Sequence, residues 1–130
     1  MITAALLTSA LLFGGMVLYS FGFAAFLFTA LPAETAGPTI RRAFPHFYVF
    51  VIVGSALSAA FLWFIDPVSA AVMAAIAVTT IPTRQVLMPA INAATDAGDK
   101  RRFGVLHGLS VVITLIHIVA AAYVLHRFIG

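Results

Sequence analysis

The sequence predicts an all-α fold, a bundle of four transmembrane helices, and three observations lead to this class. Hydrophobic residues make up 63% of the 130 residues and charged residues only 8%, whereas soluble domains carry roughly 25% charged residues. The mean hydropathy is +1.13. Four apolar stretches reach or approach the roughly 20 residues that a spanning helix needs. We therefore expect a multi-pass integral membrane protein that forms one domain over residues 1–130.

The first predicted helix covers residues 2–31 and contains no charged residue. Its length favours a membrane span over a cleaved signal sequence, whose apolar run is roughly 7–15 residues long. Tyr19 lies near the middle of this helix. Because a buried tyrosine hydroxyl usually has a hydrogen-bond partner, we expect Tyr19 to point into the bundle as a candidate polar-core or ligand-binding residue.

The second predicted helix covers residues 46–65 and ends before Asp66 and Pro67. Aspartate caps the free amides at a helix start, and proline suits the first helical position. A third helix is therefore predicted over residues 67–93. Since Pro82 removes a backbone donor within it, we expect a kink at Pro82 and an extension of this helix into the cytoplasm.

The fourth predicted helix covers residues 103–128 and follows a hydrophilic segment, in which Gly98 favours a helix end and Asp99 a helix cap. Basic residues are distributed unequally between the predicted loops. The loops after the first and third helices contain Arg41, Arg42, Arg84, Lys100, Arg101 and Arg102, and the opposite side has only Arg127. Cytoplasmic loops are enriched in lysine and arginine, so we expect both termini outside. Basic residues placed in this way indicate topology and do not indicate nucleic-acid binding.

Four polar side chains lie on one face of the fourth predicted helix: His107, Ser110, Thr114 and His117. At about 100° per residue they fall within an arc of roughly 80°. Polar groups that face hydrocarbon are costly, so this face should point into the bundle, as a ligand site or a polar core. Ser110 and Thr114 can instead bond back to helix carbonyls. For His117 a functional and a structural interpretation both stay open.

The positions of two histidines support an alternative hypothesis, in which the protein binds a haem cofactor. His46 and His107 are predicted at the same level on neighbouring helices, and two such imidazoles can ligate a b-type haem across a bundle. A metal shared by His107 and His117 is excluded, because ten residues of helix separate them by about 15 Å, whereas zinc ligands lie near 2 Å. The chain has no cysteine, which excludes thiolate sites and disulfides. No paired carboxylates lie within the predicted spans, so an enzyme is the less expected class.

Three segments carry a resemblance to a known family: LPAETAG after the first helix, FPHFY at residues 44–48 and RFGVLHGLS at residues 102–110. With these motifs the chain resembles the bacterial relatives of the transmembrane protein 205 family, a four-helix domain of unknown function numbered 4149. The resemblance implies a small protein of the bacterial inner membrane with no established mechanism or cofactor. Its eukaryotic members are linked to platinum-drug resistance. Members carry Asn and Gln where this chain has Thr114 and His117, so the family motif extends to His107 and not to His117.

The leading functional hypothesis is a binding or transport protein, or a component of a membrane complex, whose polar inner face holds a small solute, a lipid or a metal-containing compound. Four helices enclose little volume, so we expect a solute path between protomers and hence a homo-oligomer or a larger assembly. One alternative is a haem-binding redox protein that uses His46 and His107. A further alternative is a structural accessory subunit without a ligand.

Overall fold

The computed structural model describes residues 1–130 and contains four long helices joined by short turns. We number them α1 (Ile2–Ala30), α2 (Ala33–Leu62), α3 (Pro67–Asp96) and α4 (Lys100–Arg127). Each helix is long and apolar enough to cross a membrane. The predicted all-α class is confirmed, and the chain is an integral membrane protein. Helix α1 packs against α2 and α4, and α3 also packs against both, which gives an up-down-up-down bundle.

Helix α2 begins at Ala33, so the start predicted at residue 46 is wrong. Pro38 and Pro45 lie inside the helix and made the segment before residue 46 resemble a loop. Proline bends a helix and weakens its hydrogen bonding, but neighbouring helices in a membrane bundle can bond to the backbone groups that it frees. The other predicted helix ends differ from the observed ones by at most three residues.

Side chains from two neighbouring helices bond to the backbone of α2 around Pro45. The Tyr19 hydroxyl of α1 donates to the carbonyl of Ala43 at 2.8 Å. The Arg84 Nε of α3 donates to the carbonyl of Pro45 at 3.2 Å. These two contacts tie α2 to α1 and α3 near Pro45, and neither follows from the sequence of α2 alone. The carbonyl that Pro45 itself leaves without a helix donor is that of Arg41, four residues earlier.

The turns between helices use the predicted caps. The Asp66 carboxylate accepts from the backbone N–H of Ser69 at 3.3 Å and so caps α3. Gly98 has a φ of +68°, the left-handed conformation that commonly ends a helix. The Asp99 carboxylate then accepts from the N–H of Arg102 at 3.1 Å and caps α4. All three predictions are confirmed.

Two helices contain a widened, π-helical turn. In α3 it covers Thr83–Leu87, directly after Pro82; π-helical turns are one cause of helix kinks, and the kink predicted at Pro82 stays a prediction. In α1 it covers Leu18–Phe23, a segment without a proline. Such turns insert an extra residue into a helix and are frequent at functional sites. Both turns adjoin the same half of the bundle, the half that contains the first and third connections.

The hydrophobic core is centred in the other half, which contains both termini, and extends to Phe47 and Tyr48. Its fully buried large side chains are Leu12, Met16, Val51, Leu62, Met73, Ile76 and Val124. Large apolar side chains also cover the outside of all four helices, as expected where lipid surrounds a bundle. The half with the first and third connections is less densely filled, and the candidate site lies there.

Candidate functional site

A cavity of about 630 Å³ lies between the four helices, in the half that contains the two predicted cytoplasmic connections. Every helix contributes to its wall, and 11 of the 20 lining residues are hydrophobic, a count that includes Tyr48 for its ring, so the wall combines apolar surface with hydrogen-bonding groups. Its polar members are Ser20, Arg41, Tyr48, Asn92, Thr95, His107, Ser110 and Thr114. This volume is within the range of about 300–1,000 Å³ that is usual for small-molecule sites.

Three of the four polar residues predicted on one face of α4 line this cavity. The Ser110 hydroxyl donates to the carbonyl of His107 at 2.7 Å, as expected for a serine within a membrane helix. The Thr114 hydroxyl makes no hydrogen bond to the protein. His107 is exposed, and its ring stacks on Phe103 with the centroids 5.2 Å apart. The polar face therefore turns toward the cavity along three of its four positions.

His117, the fourth residue of that face, belongs to a contact between helices. It is only 8% exposed, and its Nε2 lies 2.8 Å from the hydroxyl oxygen of Thr79 in α3. The Thr79 hydroxyl also lies 2.7 Å from the carbonyl of Ala75. Because a hydroxyl has one hydrogen to donate, this arrangement is satisfied when Thr79 donates to Ala75 and the imidazole N–H donates to Thr79. The geometry therefore favours the structural interpretation of His117.

Tyr19 also has a role in packing. Its hydroxyl bonds to the Ala43 carbonyl, so the predicted inward partner exists. The ring stacks on Phe47 with the centroids 4.8 Å apart and meets the edge of Phe44 at 5.9 Å. Tyr19 does not line the cavity. It holds the widened turn of α1 against α2, and this turn presents Ser20 and Phe21 to the cavity.

Tyr48 is a cavity residue that the sequence analysis did not select. It is 6% exposed and lies on the cavity wall, and its hydroxyl makes no hydrogen bond to the protein. Its ring packs against Phe44 and Phe47, with centroids 6.0 Å and 5.4 Å away. The FPHFY motif contains Tyr48 and was the available signal. Asn92 of α3 was missed because the helix pattern predicted only a polar extension there.

The two histidines of the haem alternative do not share the cavity. His107 lines it, whereas His46 is exposed on α2 and does not belong to its wall. No group of three or more His, Cys, Asp or Glu side chains lies close enough together to hold a metal ion. The arrangement thus gives no geometric support to a haem held between His46 and His107.

The charge on the cavity wall is compensated. Arg41 is the only lining residue with a permanent charge. Its Nη1 and Nη2 donate to the two carboxylate oxygens of Asp96 at 2.7 and 2.9 Å, a two-point geometry that suits guanidinium and carboxylate. The other polar groups on the wall are hydroxyls, an amide and an imidazole.

Exposed wall residues on α1 and α4 indicate that the cavity is open to the side between these two helices. The first part of α1, Ile2–Val17, packs against both α2 and α4, whereas Ala24–Ala30 packs against α2 and not appreciably against α4. The two helices therefore separate toward the first connection. Large apolar residues that are both exposed and part of the cavity wall border this gap: Phe21, Phe28, Phe103, Val111 and Leu115. This gap is called the side opening below.

Comparison with known proteins identifies a family. A family model described as a domain of unknown function (DUF4149) matches residues 7–100. The match includes the cavity residues of α1, α2 and α3 and ends before His107, Ser110 and Thr114. No curated protein and no solved structure matches the chain. Because the matched residues make up more than half of its length, the chain belongs to the DUF4149 family.

Proposed function

We propose that this protein binds a small ligand within the membrane, in a binding or transport role, and that the ligand occupies the cavity between its four helices. The observation that carries the proposal is the cavity itself, into which His107, Ser110 and Thr114 of α4 face. Polar groups at this depth are costly unless protein, water or a ligand bonds to them. A cavity that gathers several such groups is the default candidate for a binding site.

One chain supplies all four walls of this cavity, so the proposed site differs from the expected path between protomers. A homo-oligomer or larger membrane complex stays a separate proposal. Its support is that Gly104 and Gly108 of α4 meet no other helix, since a Cβ at either position would touch nothing within 4 Å. Small residues spaced in this way let a second helix approach closely.

We also propose that the chain is a bacterial inner-membrane relative of transmembrane protein 205, with both termini outside. The support is the distribution of basic residues together with the three motifs described above. The chain has no cysteine, so a single cysteine introduced at Ala97 or at Gly130 can show on which side of the membrane that position lies. With a membrane-impermeant thiol reagent in intact cells, we expect labelling at Gly130→Cys and none at Ala97→Cys; the reverse pattern contradicts the orientation.

Native mass spectrometry tests the proposed binding function. The protein is purified in mild detergent and released from it in the spectrometer, where a retained ligand appears as added mass. Thr114→Phe puts an aromatic ring on the cavity wall, and Thr29→Phe makes the same change at an exposed position of α1. We expect added mass on the wild type and on Thr29→Phe, and at least a tenfold loss of it on Thr114→Phe.

Thermal unfolding in the same detergent shows whether both variants are folded. A folded Thr114→Phe protein that retains as much added mass as the wild type contradicts the proposal. A wild type that never retains added mass favours the alternative of a structural accessory subunit.

A further inference from the structure

We infer that the ligand is an uncharged membrane lipid whose head carries hydroxyl or carbonyl oxygens and whose apolar chain leaves the cavity through the side opening. This inference rests on the proposed binding function and specifies its ligand class. Three features carry it: polar groups on the wall that have no partner, the absence of uncompensated charge, and the apolar border of the side opening.

The first feature is a set of polar side chains that the protein itself does not satisfy. Tyr48 is only 6% exposed, and its hydroxyl has no hydrogen-bond partner in the protein. The amide of Asn92 and the hydroxyl of Thr114 also lie on the cavity wall without a partner. These three groups face the cavity, and the Ser20 hydroxyl of α1 is buried on the same wall without a partner. Polar groups at membrane depth are costly unless protein, water or a ligand bonds to them. Side chains from α2, α3 and α4 therefore offer donors and acceptors to a ligand head.

The second feature is the charge of the wall. The Arg41 guanidinium is held by both oxygens of Asp96, so a phosphate would have to compete with that carboxylate. No aspartate, glutamate or lysine lines the cavity, so an amine would find no anionic partner there. Hydroxyls and an amide recognise oxygen-bearing groups by hydrogen bonds. The wall therefore suits an uncharged head better than a phosphate or an ammonium.

The third feature is the side opening. Phe21 and Phe28 on α1 and Val111 and Leu115 on α4 border it and are between 41% and 60% exposed. In a bilayer these side chains meet acyl chains. A ligand can enter here without crossing an aqueous phase, and a chain longer than the cavity can stay in the surrounding lipid.

The experiment measures lipid retention by the delipidated protein in detergent. The uncharged probes are dioleoylglycerol, with a hydroxyl and ester carbonyls, and an isoprenoid quinone, with ring carbonyls; dioleoyl phosphatidylglycerol is the anionic comparison at the same mole fraction. We expect native mass spectrometry to show at least fivefold more retention of one uncharged probe than of the anionic lipid. Which of the two is retained identifies the head.

Variants then place the head in the cavity. Tyr48→Phe and Asn92→Leu each remove hydrogen-bonding groups while keeping a similar shape, and each should weaken retention about three- to tenfold. Tyr123→Phe removes a tyrosine hydroxyl at the opposite end of α4, where it bonds Arg127, and should retain the probe like the wild type.

Failure of this inference is distinguishable from failure of the proposed function. Equal or greater retention of the anionic lipid, or unchanged retention in Tyr48→Phe and Asn92→Leu, overturns the uncharged-lipid assignment. If another molecule is still held by the wild type and lost in Thr114→Phe, the binding function stands without it. If the wild type holds neither a probe nor any other molecule, both proposals fall.

Discussion

Asp66 and Arg127 form a two-point ion pair that joins the start of α3 to the end of α4. Nε of Arg127 donates to Oδ2 at 2.8 Å, and Nη2 donates to Oδ1 at 2.9 Å. The Ser69 hydroxyl donates to the same carboxylate at 2.6 Å. Asp66 therefore has two tasks, since it caps α3 and binds the arginine of α4. At the other end of the bundle, Arg41 and Asp96 join α2 to α3 in the same way.

Substitutions at Asp66 should separate these two tasks. Asp66→Asn keeps a good helix cap and loses the ion pair, whereas Asp66→Ala loses both. We expect both variants to unfold at lower temperature than the wild type in detergent, and Asp66→Ala to lose about 1 kcal/mol more. Asp99→Asn is the matched control, because Asp99 caps α4 with no ion pair. Equal stability of Asp66→Asn and Asp99→Asn is the result that argues against a stabilising pair.

The same ion pair predicts a dependence of stability on pH. Hydrogen bonds from Arg127 and Ser69 hold the pKa of the Asp66 carboxyl well below its usual range. As the pH falls below about 4, the unfolded chain takes up this proton before the folded one does, so the free energy of unfolding decreases. Above about pH 5 the contribution is complete. Unfolding temperatures measured from pH 7 to pH 3 should fall less steeply for Asp66→Asn than for the wild type. If the two curves run parallel, Asp66 does not cause the pH dependence of stability.

The sequence predicted the helices well because their signals are local. Apolar length defines a span, and Asp66, Gly98 and Asp99 act on the residues next to them. The start of α2 was missed because Pro38 and Pro45 are local signals for a helix end, whereas the helix continues through both of them.

The candidate site shows the same division between local and long-range information. The spacing on α4 selected His107, Ser110 and Thr114, all of which line the cavity. Spacing on one helix could not show that His117 lies outside the cavity wall, because its partner Thr79 is on α3. The side opening depends on where α1 and α4 diverge, a long-range property that helix periodicity does not contain.

The contact between His117 and Thr79 predicts non-additive effects on stability. Thr79→Val leaves a buried imidazole nitrogen without its partner, which should cost about 1–3 kcal/mol. When His117→Leu is added, no polar group is left unpaired, so the double variant should be more stable than the sum of the two single changes predicts. Thr29→Val changes an exposed threonine that bonds its own helix and should have little effect. Strict additivity in unfolding measurements would mean that the two side chains are not coupled.

Two adjacent glycines in α1 should respond in opposite directions to the same substitution. A Cβ at Gly14 would meet nothing within 4 Å, whereas a Cβ at Gly15 would lie 2.5 Å from Cζ and 2.6 Å from Cε1 of Phe50 in α2. Alanine is favoured over glycine inside a helix by about 1 kcal/mol, so Gly14→Ala should raise the unfolding temperature. Gly15→Ala should lower it, because the Phe50 ring must move, at a cost of about 1–3 kcal/mol.

A smaller side chain at position 50 tests this cause directly. Phe50→Leu alone removes packing and should be destabilising, but it also makes room for the methyl group of Gly15→Ala. The double variant should therefore be more stable than the sum of the two single changes predicts. If Gly14→Ala and Gly15→Ala instead shift the unfolding temperature by the same amount in the same direction, α1 and α2 do not approach each other closely at Gly15, and the packing that positions the widened turn of α1 beside the cavity would be wrong as well.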